Sequence, residues 1–158
     1  MKAKLVLLVC LGFMVLTSLP TAGWAHCQVP CGIYDDAARI EALYEDAKTI
    51  AKCLDRMGEL AGKTAVQDAN QLVRWIVTKE SHAANIIEIV AEYFLTQKVK
   101  PVSSEDSGYP AYLQKLADHH RVMSAAMKCK QNSEINYVQG LREAIAAMAK
   151  HYDTQSSH

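Results

Sequence analysis

The chain has 158 residues, with 17 Lys plus Arg against 17 Asp plus Glu, so its formal charge is zero with the histidines neutral. Half of it is apolar and 22% is charged, a balance that excludes an intrinsically disordered chain. The lack of a basic excess argues against nucleic-acid binding, and seven glycines and four prolines are too few for a collagen-like or low-complexity chain.

The first 25 residues stand apart from the rest. Met1-Lys2-Ala3-Lys4 is a short positive start, Leu5 to Thr17 an uncharged run of 13 mostly apolar residues, and Ser18 to Ala25 a small-residue exit. This is the three-part layout of a secretory leader, and the run falls short of the roughly 20 residues a membrane span needs. Cleavage is expected after Ala25 by a leader peptidase. The mature chain is then exported, periplasmic or extracellular, and free of the membrane. Removing 25 of 158 residues leaves 133, and the loss of Lys2 and Lys4 leaves 15 basic against 17 acidic side chains. A domain of that size buries about two-thirds of its unfolded surface, enough for a core. Four cysteines remain: Cys27, Cys31, Cys53 and Cys129.

The body of the chain, residues 36–152, has the periodicity of four helices. From Asp36 to Met57 the apolar residues Ile40, Leu43, Tyr44, Ala47, Ile50, Ala51, Leu54 and Met57 fall on one helical face. Asp35 or Asp36 can cap the start and Gly58 suits the exit. A second helix is predicted from Thr64, with Gln67 completing a capping box, to Gln97. Its inward residues are Leu72, Ile76, Val77, Ala83, Ile87, Val90 and Phe94. Lys98 to Gly108, with Pro101, Ser103 and Ser104, is a loop. The third helix runs from about Pro110 to Lys130 with Leu113, Leu116, Ala117, His120, Met123 and Met127 on one side. Of the adjacent His119 and His120, one is expected at the surface and one inside. Ser133 can cap a fourth helix, with Ile135, Val138, Leu141, Ile145 and Met148 inward. No stretch sustains a period of two. The expected fold is all-α: an antiparallel up-down four-helix bundle.

The chemistry lies ahead of the bundle, in residues 26–35: His26-Cys27-Gln28-Val29-Pro30-Cys31-Gly32-Ile33-Tyr34-Asp35. Cleavage after Ala25 makes His26 the N-terminus. Its amine, the amide nitrogen of Cys27 and the Cys27 sulfur can close two adjacent five-membered chelate rings, which favour a plane. Pro30 and Gly32 flank Cys31 with turn-forming residues, so the chain can hook back and add a second sulfur. A square-planar set of nitrogen and sulfur suits nickel(II) or copper(II), whereas zinc prefers a tetrahedron. The His26 imidazole can supply an axial ligand and favour one-electron cycling. A Cys27–Cys31 disulfide is the competing reading in an exported chain. No second Cys or His pair completes a zinc site, and the order Cys-x-x-Cys-His that haem attachment requires is absent.

This segment resembles the N-terminal hook of the nickel-containing superoxide dismutases, whose mature chains begin His-Cys-x-x-Pro-Cys-Gly-x-Tyr-Asp. His26, Cys27, Pro30, Cys31, Gly32, Tyr34 and Asp35 match in place. The similarity continues through Arg39-Ile40-Glu41, Thr78-Lys79-Glu80 and Tyr93-Phe94, and weakens beyond about Lys100. The resemblance implies a four-helix bundle carrying a hook, and the conversion of two superoxide anions and two protons to dioxygen and hydrogen peroxide by Ni(II)/Ni(III) cycling. It implies one nickel ion per subunit, held by the amine and imidazole of His26, the amide nitrogen and thiolate of Cys27 and the thiolate of Cys31. Tyr34 would order water or the incoming anion, Tyr93 would support it from the bundle, and Glu41 would orient the axial imidazole. Family members often carry an arginine shortly after the Lys-Glu pair; here the place is taken by His82, whose charge depends on pH. A homohexamer is implied as well.

Lys98 and Lys100 can attract superoxide electrostatically, although a solvated loop is the preferred account of them. Cys53 and Cys129, near the ends of helices one and three, are expected at the same pole of the bundle and to pair as a disulfide. The alternative function, from a different class, is an exported helical metal-binding or thiol protein without turnover.

Overall fold

The structure, a computed structural model, describes residues 36–152. The leader, the hook and its residues His26, Cys27, Cys31 and Tyr34 lie outside the described residues. Four α-helices are present among the described residues: α1 (Asp36–Leu60), α2 (Val66–Glu88), α3 (Tyr109–Gln131) and α4 (Ile135–Ala149). No strand occurs among the described residues. Helix α2 runs on without interruption into a π-helical segment, Ile89–Lys98. Consecutive helices pack together and α4 closes back onto α1. Hydrogen bonds fix the antiparallel order: Tyr93 meets Asp36 at one pole, Lys79 meets Lys130 nearer the other, and His119 meets Tyr152 across α3 and α4.

Helix α1 buries the face its periodicity predicts: Ile40, Leu43, Ala47, Ile50 and Leu54 are in the core, with Tyr44, Ala51 and Met57 packed at its edge. Gly58 is not its exit. The helix continues to Leu60, and the turn is made at Gly62, whose φ of +79° is open to glycine at little steric cost. The expected Thr64/Gln67 capping box does not form; α2 starts after Ala65, with no side-chain cap. Ser133 likewise does not cap α4, which starts after Glu134.

In α2, Ala83, Ile86, Val90 and Phe94 are buried and Ile87 flanks them, but Ile76 and Val77 are 37% and 59% exposed and Leu72 is half-buried. With Val66 and Val73 they line the outer part of this helix with exposed apolar side chains. The π-helical segment repeats a five-residue spacing in its hydrogen bonds. The Val99 N–H donates to the Phe94 carbonyl (2.9 Å), Thr96 Oγ1 to Ala91 O (2.8 Å) and Gln97 Nε2 to Glu92 O (3.1 Å). These side chains capture carbonyls that a wide turn leaves accessible, and the widening sets Val90, Tyr93, Phe94 and Gln97 all inward.

Helix α3 departs most from expectation. Its buried face is Asp118, His119, Val122, Ala126 and Cys129, roughly one residue away from the apolar stripe in the sequence. One residue is about 100° of helix rotation, so Leu113 and Met127 are 46% and 42% exposed, and His120 rather than His119 is the surface histidine. Polar groups win this face because each is paired. Asp118 accepts from His151 Nε2 (2.8 Å), Arg121 Nη1 (3.0 Å) and Gln114 Nε2, while both ring nitrogens of His119 are engaged. Helix α4 buries Val138, Leu141, Ile145 and Met148 as its pattern predicts, and leaves Ile135 exposed at its start.

Cys53 and Cys129 are both buried and both free thiols; the expected disulfide between them is not formed. Burial pushes both thiols above their ordinary range, Cys129 to about 11, against an opposing pull from the Lys79 ammonium. Lys79 is itself buried and caps the end of α3, donating to Lys130 O (2.7 Å) and Asn132 O (3.1 Å) beside Glu80 (3.2 Å). Raised thiols held in the core are poor nucleophiles and poor metal ligands.

Candidate functional site

One pole of the bundle gathers the first turn of α1, the π-helical segment, the first turns of α3 and the end of α4. Asp36 is its centre. This carboxylate is buried, directly follows the hook in the chain, and accepts from Tyr93 Oη at 2.8 Å and from Lys98 Nζ at 2.9 Å. The Arg39 guanidinium lies 5.4 Å from the Tyr93 ring centroid and the Lys98 ammonium 5.9 Å, both within cation–π range. Phe94 meets Tyr93 edge to face at 5.0 Å and locks the ring from beneath.

Lys115, from the second turn of α3, completes the group, its Nζ 4.5 Å from the Tyr152 ring centroid. Burial holds its pKa below the ordinary lysine range; the Asp36 carboxylate pulls it back up and the Lys98 ammonium pushes it further down. Lys98 and Lys115 thus act on a single carboxylate, with Arg39 over the Tyr93 ring that donates to it. The pole carries a surplus of positive charge in a partly desolvated setting, which favours a small anion.

The remaining sequence-predicted residues are placed apart from this group. Glu41 is exposed on α1. His82 is half-buried on α2, further along the bundle, and its Nδ1 lies 2.6 Å from Asp46 Oδ1; Asn85 Nδ2 donates to the other oxygen of the same carboxylate at 2.7 Å. Asp46 is buried, so it serves as a fixed acceptor joining α1 to α2. Lys100 is exposed in the loop. Sequence reasoning missed Asp36 and Asp46 as buried anchors. An acidic residue at a helix start is read as a cap, and Asp46 has only its i, i+4 relation to core positions as a signal. Lys115 is likewise invisible without the fold, since only the antiparallel return of α3 brings it to Asp36.

Among the described residues no group of three or more His, Cys, Asp or Glu side chains is placed to hold a metal ion. No helix among them is long and apolar enough to cross a membrane. The family model of the nickel-containing superoxide dismutases matches residues 21–156. That span takes in the hook and all four helices, and runs well past Lys100, beyond which the resemblance of individual motifs weakens. Neither the comparison with curated proteins nor that with solved structures returns a match. The match covers most of the chain, from residue 21 to beyond α4, and the chain therefore belongs to the nickel-containing superoxide dismutase family, oxidoreductases that act on superoxide.

Proposed function

We propose that this chain dismutates superoxide at a nickel centre formed by its own processed N-terminus. The observation that carries the reading is the order His26-Cys27-x-x-Pro30-Cys31-Gly32-x-Tyr34-Asp35 inside the family match. The donor set fits the metal: the amine and imidazole of His26, the amide nitrogen and thiolate of Cys27 and the thiolate of Cys31 would hold nickel, for which nitrogen and sulfur donors are suited. Bound nickel would supply the one-electron couple through which two superoxide anions and two protons become dioxygen and hydrogen peroxide.

The residues of the chain divide the remaining work. Removal of residues 1–25 frees the His26 amine; before it, that nitrogen is a peptide and the set is incomplete. The thiolates of Cys27 and Cys31 must stay unpaired until metal is loaded, so processing and loading are coupled in time. Tyr34 orders water or the anion beside the hook. Tyr93, pinned by Asp36 and Phe94, supports Tyr34 from the bundle with a fixed ring and hydroxyl. Arg39, Lys98 and Lys115 raise the local concentration of superoxide. Glu41 and His82 act on the His26 imidazole, His82 through a ring held by the Asp46 carboxylate.

The three-part layout of residues 1–25 supports export to the periplasm or beyond, with the leader removed by a peptidase. The exposed apolar residues of outer α2 (Val66, Val73, Ile76 and Val77) support assembly of several copies, as a homohexamer with one nickel per subunit. Intact mass of the purified protein tests the processing, with a chain beginning at His26 expected. Metal analysis beside a superoxide-decay assay tests the chemistry. A protein that holds nickel without accelerating decay would instead be the binding protein without turnover.

A further inference from the structure

Tyr152 and His119 form a buried hydrogen-bonded pair in the seam between α3 and α4, separate from the residues assigned to the metal. His119 is fully buried and Tyr152 is 7% exposed. The Nδ1 of His119 lies 2.7 Å from the Lys115 carbonyl, which can only accept, so Nδ1 carries the ring proton. Nε2 is then a free lone pair, and it accepts the Tyr152 hydroxyl at 2.6 Å. Burial opposes charge on either partner: it holds His119 below its ordinary pKa and Tyr152 above the ordinary phenol range. Tyrosinate is therefore disfavoured, and the phenol can give up an electron only if its proton leaves at the same time. The short bond to Nε2 provides a place for that proton.

The pair is also connected. Phe94 packs 4.7 Å from the Tyr152 ring and 5.0 Å from the Tyr93 ring, so a continuous aromatic path runs from the pole that follows the hook to Tyr152. On the far side His151 stacks 6.3 Å from His119, its Nε2 tied to Asp118 at 2.8 Å. Asp118 favours an imidazolium at His119, while the Lys115 ammonium and a charged His151 oppose it.

We propose that Tyr152 and His119 are a proton-coupled redox pair, at which a strong one-electron oxidant, of the class that peroxide generates at a redox-active metal, is reduced inside the bundle. The oxidant takes one electron from the Tyr152 phenol. The Tyr152 O–H bond breaks, its proton passes to Nε2 of His119, and a neutral phenoxyl radical is left beside an imidazolium. Superoxide restores the pair: it gives one electron to the phenoxyl and leaves as dioxygen, and the proton returns from Nε2 to the Tyr152 oxygen. The protective role of the pair rests on the superoxide chemistry proposed above; its oxidation does not, because it needs neither nickel nor leader removal.

The test uses the metal-free full chain, oxidised by a flash with photogenerated tris(bipyridine)ruthenium(III), frozen, and read by electron paramagnetic resonance. A long-lived neutral tyrosyl signal is expected. Tyr152→Phe should lower it by about tenfold or more, while Tyr109→Phe, in the first turn of α3, should leave it unchanged. His119→Gln, which can accept a hydrogen bond but cannot take up the proton, should slow formation of the signal by about tenfold. A wild-type chain that consumes the oxidant without a long-lived tyrosyl signal, or an undiminished signal in Tyr152→Phe, overturns the proposal. Failure of this test leaves the nickel reading standing, and failure of superoxide dismutation leaves the radical signal intact.

Discussion

Asp36 joins three things at one carboxylate: the root of the hook in the chain, the Tyr93 hydroxyl and the Lys98 ammonium. Removing it takes two short hydrogen bonds from a buried position. Asp36→Ala should cost about 1–3 kcal/mol in stability, read as a lower urea midpoint at unchanged slope. Asp36→Asn, which keeps the shape but loses the charge, should cost less. His82 makes a second residue-scale case. Its partner Asp46 is a buried carboxylate that can accept a guanidinium as readily as an imidazolium. His82→Arg should leave nickel binding intact, measured by metal analysis, and should alter the pH dependence of superoxide turnover, because arginine does not titrate in that range. An unchanged pH profile would remove His82 from the reaction. Both residues show where sequence is informative and where it stops. His82 is marked by its place after Lys79-Glu80, but Asp46, which sets its charge environment, carries no mark in the sequence.

At the scale of elements, α1 and α4 were legible because apolar residues dominate their inner faces, with only Asp36 and Asp46 of α1 buried among them. The face of α3 was not. Its core holds Asp118 and His119, and their burial is permitted by partners in the turn that follows α4, Tyr152 and His151, that no local pattern announces. The apolar stripe of Leu113, Leu116, Met123 and Met127 lost the competition for the centre and remains wholly or partly exposed. The π-helical segment was equally hidden: the residues of Ile89–Lys98 fit a plain continuation of α2, and only the five-residue spacing of the hydrogen bonds distinguishes it. That segment matters because it places Tyr93 and Phe94 together. Phe94 is fully buried between the Tyr93, His119 and Tyr152 rings. Phe94→Ala should destabilise the bundle by about 3–5 kcal/mol, measured by denaturant unfolding. The hook lies outside the described residues, and its nickel reading rests on the resemblance, since spacing alone leaves a Cys27–Cys31 disulfide as the competing reading.

For the whole molecule, the buried titratable groups set how stability responds to acid. Burial holds His119 neutral. Below about pH 6.5 the unfolded chain protonates this histidine before the folded chain does, so the unfolded state binds more protons and stability falls as pH drops toward the lower folded pKa. Asp118 extends the loss. Burial pushes its carboxyl up, but hydrogen bonds from His151 and Gln114 and the charge of Arg121 outweigh that and hold it below the usual range. Its contribution is present above the unfolded carboxylate pKa and is lost as pH falls through the folded one. Urea midpoints should therefore decline between about pH 7 and 5, and His119→Gln should flatten that limb. The assembled molecule is expected to bury outer α2. Val77→Glu should shift the sedimentation coefficient toward the monomer without changing the helical circular dichroism. The proposed nickel centre depends on a single covalent event, the release of the His26 amine. The most direct measurement compares superoxide decay by the nickel-treated chain beginning at His26 with decay by the same chain retaining residues 1–25. The processed chain should accelerate decay by several orders of magnitude over the unprocessed one. Equal rates in the two forms, or no acceleration by the processed and loaded chain, would contradict a nickel centre built on that amine.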